Sequence, residues 1–132
     1  MVVVSHKHDL VCRELPTSPV EDGRLVLVTG AGGYIGGRLV PELLARGYRV
    51  RVMVRRRAGH FRRKWPSAEI VIADAADPGQ LETALEGVDV AYYFIHSLQL
   101  GHRDFEATDL QIADNFRQAC SHQKVKRIIY LG

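Results

Sequence analysis

Cysteines and long apolar runs are scarce in this sequence, and their scarcity excludes two classes of protein. The 132 residues include two cysteines, Cys12 and Cys120, which lie far apart and lack the spacing of metal ligands. Such usage argues against a disulfide framework and favours free thiols in a reducing compartment. The apolar start at residues 1–4 is interrupted by residues 5–8 (SHKH), so we expect no signal peptide and no membrane span. These features predict a cytoplasmic protein without a metal site.

The length and composition predict one globular domain. A chain of 132 residues is too short for a cofactor domain plus a separate substrate domain. Its 46% hydrophobic and 25% charged residues are ordinary for a folded protein. Residues 1–23 show no sustained periodicity and end in proline, serine and acidic residues, which is typical of a flexible tail. We therefore expect a tail at 1–23 and a folded domain at 24–132.

Short β-branched runs alternate with longer helical patterns from residue 24 onward, which predicts βαβ units and a parallel sheet. Strands are predicted at 25–28, 48–54, 69–73, 88–95 and 125–131. Helices are predicted between 35 and 47, from Asp77 to Gly87 and from about 104 to 121. Asp77, Pro78 and Gln80 form the capping signal of the second helix. The pattern predicts a doubly wound α/β Rossmann fold with strand order 3-2-1-4-5.

The most informative segment is residues 29–36 (TGAGGYIG), between the first strand and the first helix. In this G-x-x-G-x-x-G frame Gly30 permits a tight turn, Gly33 lets backbone N–H groups approach a pyrophosphate, and Gly36 lets the helix pack closely. The phosphate then meets the positive end of the helix. A purely structural glycine loop is the alternative. The candidate cofactor-binding residues here are Thr29, Gly30, Gly32, Gly33, Tyr34, Ile35 and Gly36.

Acidic residues are absent between Gly47 and Pro66, and three arginines follow the second strand there. A dinucleotide site usually places an acid at this point for a ribose 2′-hydroxyl, or an arginine for a 2′-phosphate. Arg55 and Arg56 therefore favour NADP over NAD. The alternative is a solvated surface loop, which we expect for residues 62–64. Nucleic-acid binding is disfavoured because the basic segment lacks interleaved stacking aromatics.

Two further strand ends supply candidate cofactor contacts. Asp74 and Ala75 follow the third strand, where Asp74 could accept a hydrogen bond from an adenine amino group or merely open a turn. Ile95 and His96 end the fourth strand and are expected to line the nicotinamide half of the crevice. For His96, a purely structural role is the alternative.

These residues together resemble the N-terminal half of an atypical or extended short-chain dehydrogenase/reductase of the NmrA-like, NAD(P)-binding kind. The resemblance covers residues 24–132. It rests on residues 27–40, Val54-Arg55, Ala73-Asp74, Asp109, Asn115 and residues 125–131. It implies an NADP(H)-binding domain of an oxidoreductase or an epimerase/dehydratase. The alternative is a non-catalytic NADP(H)-binding regulator or redox sensor that recruits a protein partner.

The catalytic pair of that family is missing from this chain. Family enzymes use Tyr-x-x-x-Lys, in which the lysine lowers the tyrosine pKa for acid–base work at a carbonyl. None of the five tyrosines has a lysine four residues later. We therefore expect no catalytic residue here, a domain truncated after its fifth strand, and a small-molecule substrate only if a C-terminal part is present. The fifth strand would then be an apolar edge through which the chain self-associates.

Overall fold

The computed structural model describes residues 23–95 and 105–130. The strands are β1 (Leu25–Val28), β2 (Arg49–Val54), β3 (Glu69–Ile72), β4 (Val90–Tyr93) and β5 (Arg127–Tyr130). The helices are α1 (Tyr34–Ala45), α2 (Ala58–Lys64), α3 (Pro78–Ala84) and α4 (Phe105–His122). The sheet has the order β3-β2-β1-β4-β5, and every strand pair is parallel. The predicted fold and strand order are confirmed, whereas residues 1–22 of the predicted tail lie outside the described residues.

The central strand β1 is buried on both faces, which explains its uninterrupted apolar sequence. Because side chains alternate along a strand, Leu25 and Leu27 join one core and Val26 and Val28 join the other. The first core includes Leu81, Leu85, Ile112 and Phe116 of the α3 and α4 side. The second includes Val40, Leu43, Phe61 and Trp65 of the α1 and α2 side. Helices thus cover both faces of the sheet, as a doubly wound fold requires.

The helix α2 is a feature that the sequence analysis did not predict. Ala58, Phe61 and Trp65 are buried at helical spacing, while the basic residues 62–64 are exposed as expected. No side chain caps the start of this seven-residue helix. A helix so short is marginal on its own, so its stability depends on the packing of its apolar face against the sheet.

The capping signal at α3 is confirmed, with an additional contact. Asp77 Oδ1 accepts a hydrogen bond from the Gln80 amide at 3.2 Å, and Pro78 occupies the first helical turn. The Gln80 side chain also folds back toward β3, where its Oε1 accepts a hydrogen bond from the amide of Asp74 at 2.8 Å. This bond fastens the end of β3 to the start of α3.

Arg51 joins three elements below the carboxyl edge of the sheet. Its Nη1 donates to the carbonyl oxygens of Ala84 and Glu86, at 2.8 and 2.7 Å, near the end of α3. Its Nε donates to Glu69 Oε2 on β3 at 3.0 Å. The Arg51 side chain is 14% exposed and that of Glu69 is 56% exposed. The contact with the Ala84 carbonyl is partly buried, whereas the contacts with Glu86 and Glu69 are exposed.

None of the helices in the described ranges is long and apolar enough to cross a membrane.

We expect Arg51→Met to lower the free energy of unfolding by about 1–3 kcal/mol, because two helix-terminal carbonyls lose a charged donor. Glu69→Gln should cost less than about 1 kcal/mol, because an exposed carboxylate contributes little to an ion pair. Urea unfolding followed by circular dichroism measures both. Equal losses in the two variants would contradict this account and assign the stabilisation to the ion pair.

Candidate dinucleotide-binding site

Thr29 fixes the point where β1 ends and the glycine turn begins. Its side chain is fully buried. Its hydroxyl donates to the carbonyl of Tyr92 at 2.9 Å and accepts from the amide of Phe94 at 3.0 Å. Its own amide also donates to the Tyr92 carbonyl, at 3.1 Å. The end of β1 is thereby bound to the end of β4, and the turn starts from a rigid support.

Two glycines of the turn are required by the space available. Gly30 has a φ of +63°, and a Cβ there would collide with the carbonyl oxygen of Phe94. A Cβ on Gly36 would lie 2.6 Å from the Gly30 carbonyl oxygen. Any side chain at either position would push the turn away from β4 or from α1. Close backbone packing, as the glycine spacing predicted, holds the turn in place.

Gly33 begins α1 and has an ordinary extended conformation, with φ −82° and ψ 175°. Its amide donates to the Gly30 carbonyl at 3.0 Å, and its carbonyl accepts the Gly37 amide at 2.9 Å. The bond from the Gly37 amide is the first one of the helix. The amides of residues 34–36 come before it, in the first turn, where N–H groups have no acceptor within the helix. The helix start has neither a side-chain cap nor an acidic residue in its first turn. It therefore presents positive backbone charge.

A cleft of about 390 Å³ lies at the carboxyl edge of the sheet, as expected for ligands of open α/β sheets. Its walls come from the glycine turn, the end of β2, α2, the end of β3 and the end of β4. It is lined by Gly30, Ala31, Gly32, Met53, Val54, Arg55, Arg56, Arg57, Phe61, Ala73, Asp74, Ala75 and Ile95.

The structure brings most of the sequence-predicted residues to this cleft. Those in its lining are Gly30, Gly32, Arg55, Arg56, Asp74, Ala75 and Ile95. Gly33, Tyr34, Ile35 and Gly36 are outside the lining and follow it along the chain at the start of α1, and Thr29 is buried where β1 ends. His96 lies outside the described residues.

Sequence reasoning missed several residues of the lining, of which Arg57 and Phe61 carry the most information. Arg57 is the third of the arginines that follow the second strand, but it is not among the candidate cofactor-binding residues predicted from the sequence. It has a φ of +61° and immediately precedes α2. Phe61 is buried and reaches the cleft from α2. The spacing of Ala58, Phe61 and Trp65 was the signal that could have revealed this wall.

Asp74 opens a turn, which is one of the two roles that the sequence allows for it. Its Oδ1 accepts the Ala76 amide at 2.9 Å, and its carbonyl accepts the Asp77 amide at 3.0 Å. With its own amide bound to Gln80, Asp74 is held at the cleft by three hydrogen bonds. It is the one acid in the lining, opposite three arginines, so the cleft favours an anion.

The tyrosines of β4 are unsuited to general acid–base work. Burial raises the pKa of Tyr92, and it raises the pKa of Tyr93 to about 12. A catalytic tyrosine needs the opposite shift, toward the working pH. Tyr93 instead packs against Phe116, with ring centroids 4.9 Å apart. Both tyrosines therefore remain protonated at neutral pH and serve the core.

Known proteins match this chain over most of its length. A model of the NAD(P)H-binding family matches residues 30–132. Cinnamoyl-CoA reductase 2 of Arabidopsis thaliana is 35% identical over 117 residues, which are 83% of this chain and 35% of the reductase.

Two solved structures share the fold. The crystal structure of the Citrobacter sp. triphenylmethane reductase complexed with NADP(H) has a TM-score of 0.67 and 24% identity, covering 81% of this chain and 36% of that one. DesIV, a dTDP-glucose 4,6-dehydratase from Streptomyces venezuelae with NAD and TYD bound, has a TM-score of 0.64 and 27% identity, covering 79% and 38%.

The chain spans about a third of the length of these relatives. The glycine turn, the strand order and the family match agree with one another. The chain thus belongs to the NAD(P)H-binding family, among the proteins of the short-chain dehydrogenase/reductase type.

Proposed function

We propose that this chain is the cofactor-binding domain of an NADP(H)-dependent reductase or epimerase/dehydratase, and that it prefers NADP(H) to NAD(H). The observation that carries this proposal is the single cleft in which the glycine turn and three consecutive arginines meet. Family membership predicts that the chain binds a dinucleotide, but not whether this is NAD(H) or NADP(H). The arginines supply the argument for the phosphorylated one.

The glycine turn and the start of α1 would hold the pyrophosphate. No acidic residue in the first turn of α1 neutralises the partial positive charge of the backbone amides there. Gly32 lines the cleft, and the amides of residues 34–36 follow it along the chain at the start of α1. Backbone donors at a helix start bind phosphate without help from a charged side chain.

Arg55 and Arg56 would hold the 2′-phosphate of the adenosine ribose. Arg55 directly follows β2 and is half-buried in the cleft wall, and Arg56 is more exposed. No acidic residue lies between Gly47 and Pro66 to repel a phosphate or to bind a free 2′-hydroxyl. Two guanidiniums supply charge-assisted hydrogen bonds to the phosphate oxygens.

The remaining lining residues fit the two ends of a dinucleotide. Asp74 and Ala75 would meet the adenine, and Ile95 would face the nicotinamide half, with His96 following it along the chain. When bound, the nicotinamide donates or accepts a hydride. The role of this chain is to bind and orient it, and the substrate contacts would come from residues of a longer protein.

The named relatives support the enzymatic interpretation over a regulator. Two are reductases and one is a dehydratase. The alternative of a non-catalytic redox sensor gains no support from them. One of these structures contains NADP(H) and another contains NAD, so the relatives do not distinguish between the two dinucleotides. The argument for NADP(H) therefore rests on the arginines.

We also propose that the isolated chain self-associates through β5. Among the described strands, β5 pairs with β4 alone, so its other edge offers backbone hydrogen-bonding groups. An apolar cleft of about 480 Å³ lies beside it, lined by Tyr93, Ala113, Phe116, Arg117, Ile128 and Tyr130. Tyr130 is 69% exposed. A second copy would cover both features.

Gly33→Val tests the glycine turn. Valine readily adopts the extended conformation of Gly33, so the variant should fold, while its side chain crowds the approach to the amides. We expect NADPH binding to be lost in calorimetry. A thermal unfolding curve close to that of the parent serves as the control. Undiminished NADPH affinity in the folded variant would overturn the assignment.

Arg55→Ala tests the cofactor preference. Each charge-assisted contact to the 2′-phosphate should contribute about 1.5–3 kcal/mol, or about 10-fold to 150-fold in affinity. The variant should therefore lose NADPH affinity while NADH affinity changes little, and Arg55→Ala/Arg56→Ala should bind both about equally. Raised salt should weaken NADPH more than NADH. A parent chain that binds both dinucleotides equally would refute the preference.

Self-association is tested by light scattering over a range of concentrations. Tyr130→Lys places a charge at the β5 edge and should shift the chain toward monomer. Ile72→Lys is the matched control, because Ile72 is 58% exposed on β3 at the opposite edge of the sheet. A parent that remains monomeric, or a response to Ile72→Lys instead, would exclude β5 as the interface.

A further inference from the structure

Phe61 connects the two phosphate-binding parts of the cleft. Its ring lines the cleft, and its Cζ lies 3.7 Å from the place that a Cβ on Gly32 would occupy. The ring thus reaches the glycine turn from the opposite wall. On its other side it stacks on Trp65, with ring centroids 5.5 Å apart and an interplanar angle of 24°.

The backbone of Phe61 holds the arginine segment at the same time. Its amide donates to the carbonyl of Arg57 at 3.3 Å. Arg57 has a φ of +61°, a left-handed conformation that residues other than glycine rarely adopt. Such a conformation persists only where the surroundings impose it. The surroundings here are α2, whose buried side chains include Phe61.

The packing of Phe61 therefore determines where the three arginines lie relative to the glycine turn. A seven-residue helix without a side-chain cap does not hold its shape unaided. The ring of Phe61 and its stack on Trp65 anchor α2 in the second core, together with Ala58. Loss of ring volume would let α2 and the preceding arginines move away from the turn.

Resting on the proposed function, we propose that Phe61 is a positioning residue that sets the preference for a 2′-phosphorylated dinucleotide. It fixes the spacing between the turn that would bind the pyrophosphate and the arginines that would bind the 2′-phosphate. A ligand with both phosphate groups uses that spacing, whereas a ligand with the pyrophosphate alone does not.

This role differs from ordinary core packing in what it predicts. A residue that only stabilises the fold would affect NADPH and NADH alike, because both need the folded glycine turn. A residue that positions the arginines affects NADPH selectively. The ratio of the two dissociation constants separates the two roles.

The experiment compares NADPH and NADH dissociation constants of the parent, Phe61→Leu and Leu43→Ala by calorimetry. Leu43 is buried in the same core but belongs to α1 and lies outside the cleft lining, so it reports loss of core packing alone. We expect Phe61→Leu to weaken NADPH about tenfold and NADH less than about twofold. Leu43→Ala should leave the ratio unchanged.

Two further measurements keep the outcomes distinct. Trp65 is the only tryptophan of the chain, so its fluorescence reports whether the environment of α2 is retained in each variant. In the Arg55→Ala/Arg56→Ala background, Phe61→Leu should no longer change the ratio, because the two arginines that would bind the 2′-phosphate are gone.

Each result has one consequence. Equal weakening of both dinucleotides by Phe61→Leu, or no change in either, would overturn the positioning role. A selective effect that persists without Arg55 and Arg56 would also overturn it. Failure of the proposed function is visible separately, since the parent would then bind neither dinucleotide or bind both equally.

Discussion

The close approach of the glycine turn to the end of β4 is the constraint on which the cleft depends. Gly30 packs against the Phe94 carbonyl, and the Thr29 hydroxyl bridges the Tyr92 carbonyl and the Phe94 amide. These contacts join residues more than sixty positions apart in sequence. They fix the direction in which α1 leaves the sheet, and with it the position of the backbone amides at the start of the helix.

The charge distribution around the cleft follows from the same geometry. In a parallel sheet all the carboxyl ends lie at one edge, so the arginines after β2 and Asp74 after β3 meet the glycine turn without any special folding of the loops. Asp74 is held through Gln80, and Arg57 through α2. The cleft therefore combines positive side chains with positive backbone dipoles, and rigid local contacts support both.

The sheet order was predictable from the sequence because it follows from the hydrophobic period and the chirality of βαβ units. The strand ends at the cleft were predicted to within two residues, since β3 ends at Ile72 rather than at Ala73 and β4 at Tyr93 rather than at Ile95. The helix α2 was not predicted, because three apolar residues at helical spacing are a weak signal, and a short helix without a cap depends on tertiary packing. The capping pair Asp77 and Gln80 was predictable. The bond from Gln80 to the Asp74 amide was not, because it depends on the path of the chain from β3. Likewise, the contact between Phe61 and the glycine turn joins segments whose proximity only the folded sheet establishes.

Among the described residues, the cleft takes its lining from the ends of β1 to β4 and from α2, and none of these lining residues belongs to β5 or α4. The β5 edge of the sheet and the cleft are thus formed by different residues of the described structure. Sequence changes next to β5 would leave this described lining of the cleft unaltered. Segments of different size and chemistry could therefore be added beside β5 without a change in the side chains that line the cleft.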